Sequence, residues 1–329
     1  MKLNFKKNSS YIIAEIGNNH EGSFARAKKL IQKASKTGVN AVKFQTFKTD
    51  DFISDDIKKF ELSFDDFEKL QKISHRHNLN FISTPLDFNS AKFIGRIADA
   101  IKISSGDNNF FEIIDLCLGY NKNVIISLGL LDHRETSKNI KNLIKLSSSK
   151  KMLNKISFLH CVTSYPVQYH NANLKKILEL KKQWPNLRIG YSDHTIGLEA
   201  CFVAKAYGAD IIEKHFTLDK NFSKFRDHAL SADIDDMKKI VLGIRRIEKM
   251  TSKYSKTLSK NELSNKRIIR RHPFSTRDLK KGTILDLGNI KFLRPTKSQN
   301  PIDLNFFYKK KIKKKISKNV LIKKSDVIQ

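Results

Sequence analysis

The sequence predicts an α/β chain: a (β/α)8 TIM barrel over residues 1–250, a linker over 251–264 and a small β-rich domain over 265–329. Three observations predict it. Eight short apolar, β-branched runs recur, each ending in a polar tip, and continuous apolar runs mark strands buried on both faces, as in a parallel sheet. Helical patterns fill the gaps, and eight strand–helix units over roughly 240 residues match the usual barrel size of about 250. After Met250 that pattern stops. A doubly wound open sheet is the competing architecture, but no Gly-x-Gly-x-x-Gly follows any run.

In order, the expected strands are Tyr11–Gly17, Ala41–Phe47, Phe81–Asp87, Ala100–Gly106, Val124–Leu130, Ile156–Val162, Arg188–His194 and Ile211–Thr217. Phe24, Ala27, Leu30, Ile31 and Ala34 repeat at helical spacing, and Gly38 follows as a stop. Ser63 precedes the stripe Phe64, Phe67, Leu70 and Ile73, with Asp66 three places on, a capping-box-like start. Asn89–Ala98, Phe111–Leu118, Glu135–Leu146, Asn173–Lys182 and Leu198–Tyr207, closed by Gly208, fill further gaps, and Asp235–Met250 supplies the eighth helix. Thr251–Asn261 is polar and reads as a linker. Beyond it, Leu279–Leu285 is echoed by Ile316–Ile322, with Gly282 and Asn319 in matching places. Both types tolerate the left-handed turn conformation, so two similar corners in one small β domain are expected.

Composition narrows the function classes. Cys117, Cys161 and Cys201 lie far apart without ligand spacing, which argues against a disulfide framework. No apolar run approaches a membrane span and no signal-like segment precedes Tyr11, so a cytoplasmic protein with no membrane partner is expected. The formal net charge is +30. Such a charge can attract nucleic acid or an anionic surface, but lysines are scattered through every expected helix. Only Lys309–Lys315 is a dense cluster, and it has no interleaved aromatics; no nucleic-acid partner is expected.

In this fold the site lies at the carboxyl ends of the strands. The chain offers Glu15, Asn19 and His20 at the first, Lys43 and Gln45 at the second, and Ser83 and Thr84 at the third. Lys102, Ser104, Ser105 and Asp107 follow at the fourth, Ser127 at the fifth, and His160, Thr163 and Tyr165 at the sixth. Ser192, Asp193 and His194 end the seventh, and Glu213, Lys214 and His215 the eighth. A lysine inside an apolar strand is costly unless paired. Lys43 and Lys102, with hydroxyls around them, suggest a phosphate or carboxylate pocket, or else ion pairs with Glu15 or Glu213. A Schiff-base role for one of them, as in barrel aldolases, stays open. His194 and His215, on neighbouring strand ends and each beside a carboxylate, suit a divalent metal completed by substrate and water. Cys161 lies near the mouth with no base fixed beside it and is not read as a nucleophile.

These residues carry a resemblance. Ala14–His20, Lys43–Gln45, Ser83–Pro85, Lys102–Gly106, Gly190–Thr195 and Glu213–Thr217 resemble the motifs of the sialic acid synthase family, and Arg277–Gly282 with Phe292–Pro295 resemble its small C-terminal antifreeze-like (SAF) domain. The resemblance implies condensation of phosphoenolpyruvate (PEP) with an N-acetylmannosamine-type amino-sugar aldehyde. The products would be a nine-carbon 2-keto acid of the N-acetylneuraminate or legionaminate type and phosphate. It further implies that His194 and His215 hold Mn2+ or Mg2+, and that Lys43, Lys102, Thr84, Ser105, Ser127 and Ser192 hold PEP. Glu15, Gln45, Tyr165, Glu213 and Asp227 would handle sugar, water and protons, with Asp107 standing for the family's glutamate after Ser-Gly. Arg294 would reach the sugar in the partner's barrel of a domain-swapped homodimer. The chain departs from the family pattern at Asp107, Leu128, Val162, Phe225–Arg226 and Thr296–Ser298, mostly on the sugar side. A lysine-dependent aldolase, or a basic nucleic-acid- or surface-binding protein on a barrel scaffold, are the competing readings.

Overall fold

The computed structural model describes residues 3–6, 8–49, 55–252, 255–300 and 302–328, so Lys253 and Tyr254 of the expected linker lie outside the described residues. The chain divides into two compact units, Met1–Ser252 and Lys253–Gln329. In the first, eight parallel strands close a barrel in chain order: β1 (Tyr11–Gly17), β2 (Ala41–Thr46), β3 (Asn80–Pro85), β4 (Ala100–Ile103), β5 (Asn123–Ser127), β6 (Ile156–Cys161), β7 (Arg188–Asp193) and β8 (Ile211–His215). Tyr11–Glu15 of β1 pairs with Ile211–His215 of β8, which closes the ring. β4 is shorter than its apolar run suggests, so Ser104–Asp107 belongs to the loop above it.

Between the strands lie α1 (Phe24–Ala34), α2 (Phe64–Arg76), α3 (Phe88–Ile97), α4 (Phe111–Gly119), α5 (His133–Ser149), α6 (Lys175–Gln183) and α7 (Glu199–Ala206). The expected capping box opens α2: Asp66 N–H donates to Ser63 Oγ at 3.1 Å, and Ser63 N–H donates to Asp66 Oδ2 at 3.4 Å. Gly38 and Gly208 stand at φ +86° and +88°, a conformation a Cβ disfavours. After β8 the loop carrying Phe225–His228 holds a short helix, α8 (Arg226–Leu230), before the long α9 (Ile234–Met250). Side chains alternate along each strand. One parity packs against the helices, as Ile12, Val42, Phe81, Ile101, Val124, Phe158, Ile189 and Ile212 do. The other fills the barrel with Tyr11, Ile13, Ala41, Ile82, Ala100, Ile125, Leu159 and Ile211. Among the described residues no helix is long and apolar enough to cross a membrane.

The second unit opens with α10 (Lys260–Ile269), capped by Ser259 and Glu262, so the stretch expected as linker is helical from Lys260. β9 (His272–Ser275) and β10 (Ile290–Leu293) pair antiparallel over a core that includes Leu279, Leu285, Phe307, Ile312, Ile316 and Ile322. The sequence echo is structural. Gly282 and Asn319 both take the left-handed conformation, at φ +86° and +60°. Leu279 and Ile316, equivalent in the echo, bridge each other through both N–H···O bonds, at 2.8 and 2.9 Å. The bond from Gly282 N to Ile312 O has its counterpart in Asn319 N to Ser275 O, and Ile312 N to Thr283 O in Ser275 N to Val320 O. The two halves are therefore related by a local two-fold through the Leu279–Ile316 bridge. This unit is far more basic than the barrel: residues 253–329 hold 22 Lys and Arg against 5 Asp and Glu, so +17 of the formal +30.

Candidate active site at the barrel mouth

Two places above the apolar interior ring, toward the carboxyl ends, the eight strands present Glu15, Lys43, Thr84, Lys102, Ser127, Cys161, Ser192 and Glu213, all buried. Strand periodicity of two makes this a single layer. All but Cys161 join one network. Lys43 Nζ lies 2.8 Å from Glu15 Oε2 and 3.6 Å from Glu213 Oε1, and donates to Thr84 Oγ1 at 3.3 Å. Lys102 Nζ donates to Ser127 Oγ at 2.7 Å and lies 3.8 Å from Glu213 Oε1. Ser192 Oγ donates to that same oxygen at 2.9 Å. The ion pairs considered for the two lysines thus exist, while Glu213 Oε2 is buried without a hydrogen-bond partner among the described residues.

Burial and charge push the two carboxyls apart. Burial raises Glu15 to about 7, more than the Lys43 charge lowers it. Burial also works against Glu213, but Lys102 and Lys43 hold it below the usual carboxylate range. One carboxylate therefore stays ionised and anchors both ammoniums, while the other exchanges a proton near neutrality, the division of labour that acid–base chemistry needs. Burial lowers Lys102 despite Glu213, whereas for Lys43 the two glutamates outweigh burial and raise it.

The histidines form the next layer. The rings of His194 and His215 lie 5.3 Å apart. His194 Nδ1 meets the Val162 carbonyl at 2.8 Å; a carbonyl only accepts, so this nitrogen carries a proton and Nε2 is the nitrogen left for a ligand. Burial works against a charge on His194, but the Cys161 sulfur and that carbonyl outweigh it and raise its pKa. His215 Nδ1 is buried without a hydrogen-bond partner among the described residues, 3.9 Å from Asp227 Oδ2. Burial and the neighbouring cations, His194 and Lys43 first among them, hold His215 well below its ordinary value, as a neutral imidazole. Among the described residues no group of three or more His, Cys, Asp and Glu side chains is gathered with metal-binding spacing. Tyr165 packs on both imidazoles, at 4.3 and 6.1 Å, and Asp227 is brought in by α8.

Other expected residues fall nearby or outside. Gln45 Oε1 accepts from Asn18 Nδ2 at 2.9 Å. Ser105 Oγ accepts from Gly129 N at 3.2 Å, and a Cβ on Gly129 would stand 2.5 Å from both Ser105 Oγ and Thr163 Oγ1, so the missing side chain opens a niche between two hydroxyls. Asp107 takes its bond from Ser104 Oγ within its own loop, at 2.5 Å. Arg294 follows β10 in the second unit and is exposed.

Asp193 and Lys214, expected at the mouth, are not there. They pair at 2.8 Å on the helix-facing side of β7 and β8, where Tyr191, Thr195 and Cys201 also bond to Asp193, so the carboxylate beside His194 in sequence is not beside it in space. His160 faces outward too, its Nε2 2.8 Å from the Ala172 carbonyl. Cys161 Sγ lies 3.8 Å from His194 Nδ1, contrary to the expectation that no base is near, but the proton on that nitrogen belongs to the Val162 contact and leaves no lone pair for the thiol. Sequence reasoning missed Arg226, whose guanidinium stacks on Tyr165 at 4.4 Å. Its only signal was the departure from family pattern at Phe225–Arg226.

Residues 30–256 match the family model described as the NeuB family. The N,N'-diacetyllegionaminic acid synthase of Campylobacter jejuni is 35% identical over 86% of this chain and 90% of its own length. The pseudaminic acid synthase of the same species is 31% identical over 94% and 93%. The crystal structure of the N-acetylneuraminic acid synthetase of Leptospira borgpetersenii covers 80% of this chain and 94% of that one, with a TM-score of 0.72 and 29% identity.

Proposed function

The chain belongs to the NeuB family, and from that premise we propose that it is a transferase condensing PEP with an amino-sugar aldehyde of the N-acetylmannosamine type, giving a sialic-acid-like 2-keto acid and phosphate. The observation that carries the reading is the buried network of two lysines, three hydroxyls and two unlike carboxyls beneath a pair of neutral-capable imidazoles.

Lys43, Lys102, Thr84, Ser105, Ser127 and Ser192 bind the phosphate and carboxylate of PEP, with Glu213 keeping both ammoniums ionised and aimed. His194 and His215 fit a divalent ion, Mn2+ or Mg2+, because one has its other nitrogen tied to a carbonyl and the other has a buried nitrogen without a partner. When bound, that ion supplies Lewis-acid polarisation of the aldehyde oxygen. The methylene carbon of PEP bonds to the aldehyde carbon, positive charge grows at C2, water adds there, and phosphate leaves by C–O cleavage. Glu15, titrating near neutrality, takes the proton from that water. Gln45, Tyr165, Asp107 and Asp227 line the sugar side. We further propose a cytoplasmic homodimer in which the small domain, antifreeze-like in kind, delivers Arg294 to the partner's sugar.

The test is phosphate release from PEP with Mn2+ and a panel of amino sugars, with mass detection of the 2-keto acid. Release only when a suitable sugar is present is expected; no release with any member sinks the reading. One observation favours a second reading. Burial depresses Lys102, as a Schiff-base lysine requires. Borohydride trapping of an adduct on Lys102 would establish an aldolase instead.

A further inference from the structure

β7 ends at Asp193, so His194 stands one residue past the ladder that joins β7 to β8, whose last register pair is Asp193 with Lys214. His215 is held by regular pairing: it still belongs to β8, is in register with Glu15 of β1, and its carbonyl accepts from Ala232 N–H at 2.8 Å. One place earlier on each strand, and on the opposite face, Asp193 and Lys214 form their buried ion pair, with side chains 0% and 1% exposed. Beyond each other, both reach Thr195, the residue directly after His194. Thr195 N–H and the Thr195 hydroxyl donate to Asp193 Oδ1 at 2.8 Å each, and Lys214 Nζ donates to the Thr195 carbonyl. On the β6 side, Val167 N–H donates to the His194 carbonyl at 2.9 Å. The main chain is thus gripped immediately before and after His194, and on the β8 side the ion pair does the gripping.

We propose that Asp193 and Lys214 are positioning residues for the divalent ion: the pair holds the His194 ring at its 5.3 Å separation from the His215 ring, so that both imidazoles can meet one metal. The proposal rests on the metal reading of the two histidines. A buried ion pair is a poor source of stability, because an apolar pair of similar volume packs as well without taking two charges out of water. Joining β7 to β8 therefore does not require it. Its bonds do account for it, since Tyr191 and Cys201 contribute one contact each while the amide, the hydroxyl and the carbonyl of Thr195 are all engaged. Groups that orient a metal ligand without touching the metal strongly influence how well the metal binds. The pair is also neutral as a unit. It steadies the histidines from behind without the repulsion that a lone ammonium there would exert on a bound cation.

The experiment titrates the whole chain with Mn2+, following free ion by electron paramagnetic resonance, in the wild type, the paired variant Asp193→Asn with Lys214→Met, and Ile177→Ala. The paired variant removes both charges together, so no unpaired charge stays buried. Ile177, fully buried on α6, controls for a general loss of stability, and melting curves confirm that each variant folds. The paired variant is expected to raise the Mn2+ dissociation constant by about ten- to a hundredfold, the usual cost of losing such support. Ile177→Ala should leave that constant within about twofold at an equal or larger drop in melting temperature. If the paired variant does not fold, Asp193→Asn alone takes its place, with a rise of at least about threefold expected. Unchanged Mn2+ affinity in the clamp variant, or an equal loss in Ile177→Ala, overturns the proposal. If the wild type takes up no Mn2+, the metal reading falls separately, and NMR of the metal-free protein decides the positioning. The proton on His194 Nδ1, identified by its absence in His194→Gln, should be sharp in the wild type, where it bonds to the Val162 carbonyl, and broadened or lost in the clamp variant. The same signal in both overturns the proposal.

Discussion

Lys43 and Lys102 were legible as residues because an ammonium inside an apolar strand demands an explanation, and the explanation lies on other strands: Glu15 on β1 beside Lys43, and Glu213 on β8 across the barrel from Lys102. Asp193 was misread because adjacency along a strand places consecutive residues on opposite faces: His194 looks into the barrel and Asp193 into the helix layer. His20 and His160 allow a prediction. Burial, with Arg26 adding to it at His20, lowers both to about 4, against 6.5 when unfolded. Between those values the folded state binds fewer protons than the unfolded one, so stability is present above pH 6.5 and is lost as pH falls toward 4. The loss approaches about 3 kcal/mol per histidine at the acid end. Urea unfolding at pH 7.5, 6 and 4.5 should show the wild type losing more than His160→Gln across that window; parallel losses would contradict it.

At the level of elements, all eight strands were visible as apolar runs, and the start of α2 was visible as its capping box. α10 was passed over although Ser259 and Glu262 have capping-box spacing, because none of its residues is buried and its apolar stripe is too sparse to show a period. α8 has only five residues, less than two turns of pattern. β7 carries the sharpest steric demand. A Cβ on Gly190 would stand 2.5 Å from the Ile211 carbonyl oxygen and 2.6 Å from Leu159 Cδ2, inside a filled barrel. Gly190→Ala should therefore destabilise the protein by about 2–3 kcal/mol or prevent folding. A melting temperature within a degree of the wild type would show that the interior yields there.

For the whole molecule, the division of charge matters more than its total. The second unit holds +17 of the formal +30, a local field that raises the concentration of anions around that unit. The proposed exchange of Arg294 between subunits has its own readout. Lys102→Met and Arg294→Ala should each be nearly inactive alone. Co-folded in equal amounts, they should recover about a quarter of wild-type activity, since half the dimers are mixed and each mixed dimer has one intact pair. No recovery on mixing, or full activity of Arg294→Ala alone, would refute the exchange.

The sequence by itself determined the barrel, the layer of polar strand ends and the pair of histidines, because a period of two and a run of eight repeating units are local properties of the chain. Only the tertiary structure decided which of two neighbouring carboxylates meets a histidine, which glutamate keeps its charge, and that Arg226 lies on Tyr165. Those facts depend on distances between residues far apart in the chain and on the dielectric their packing creates, neither of which is written in any local stretch of it.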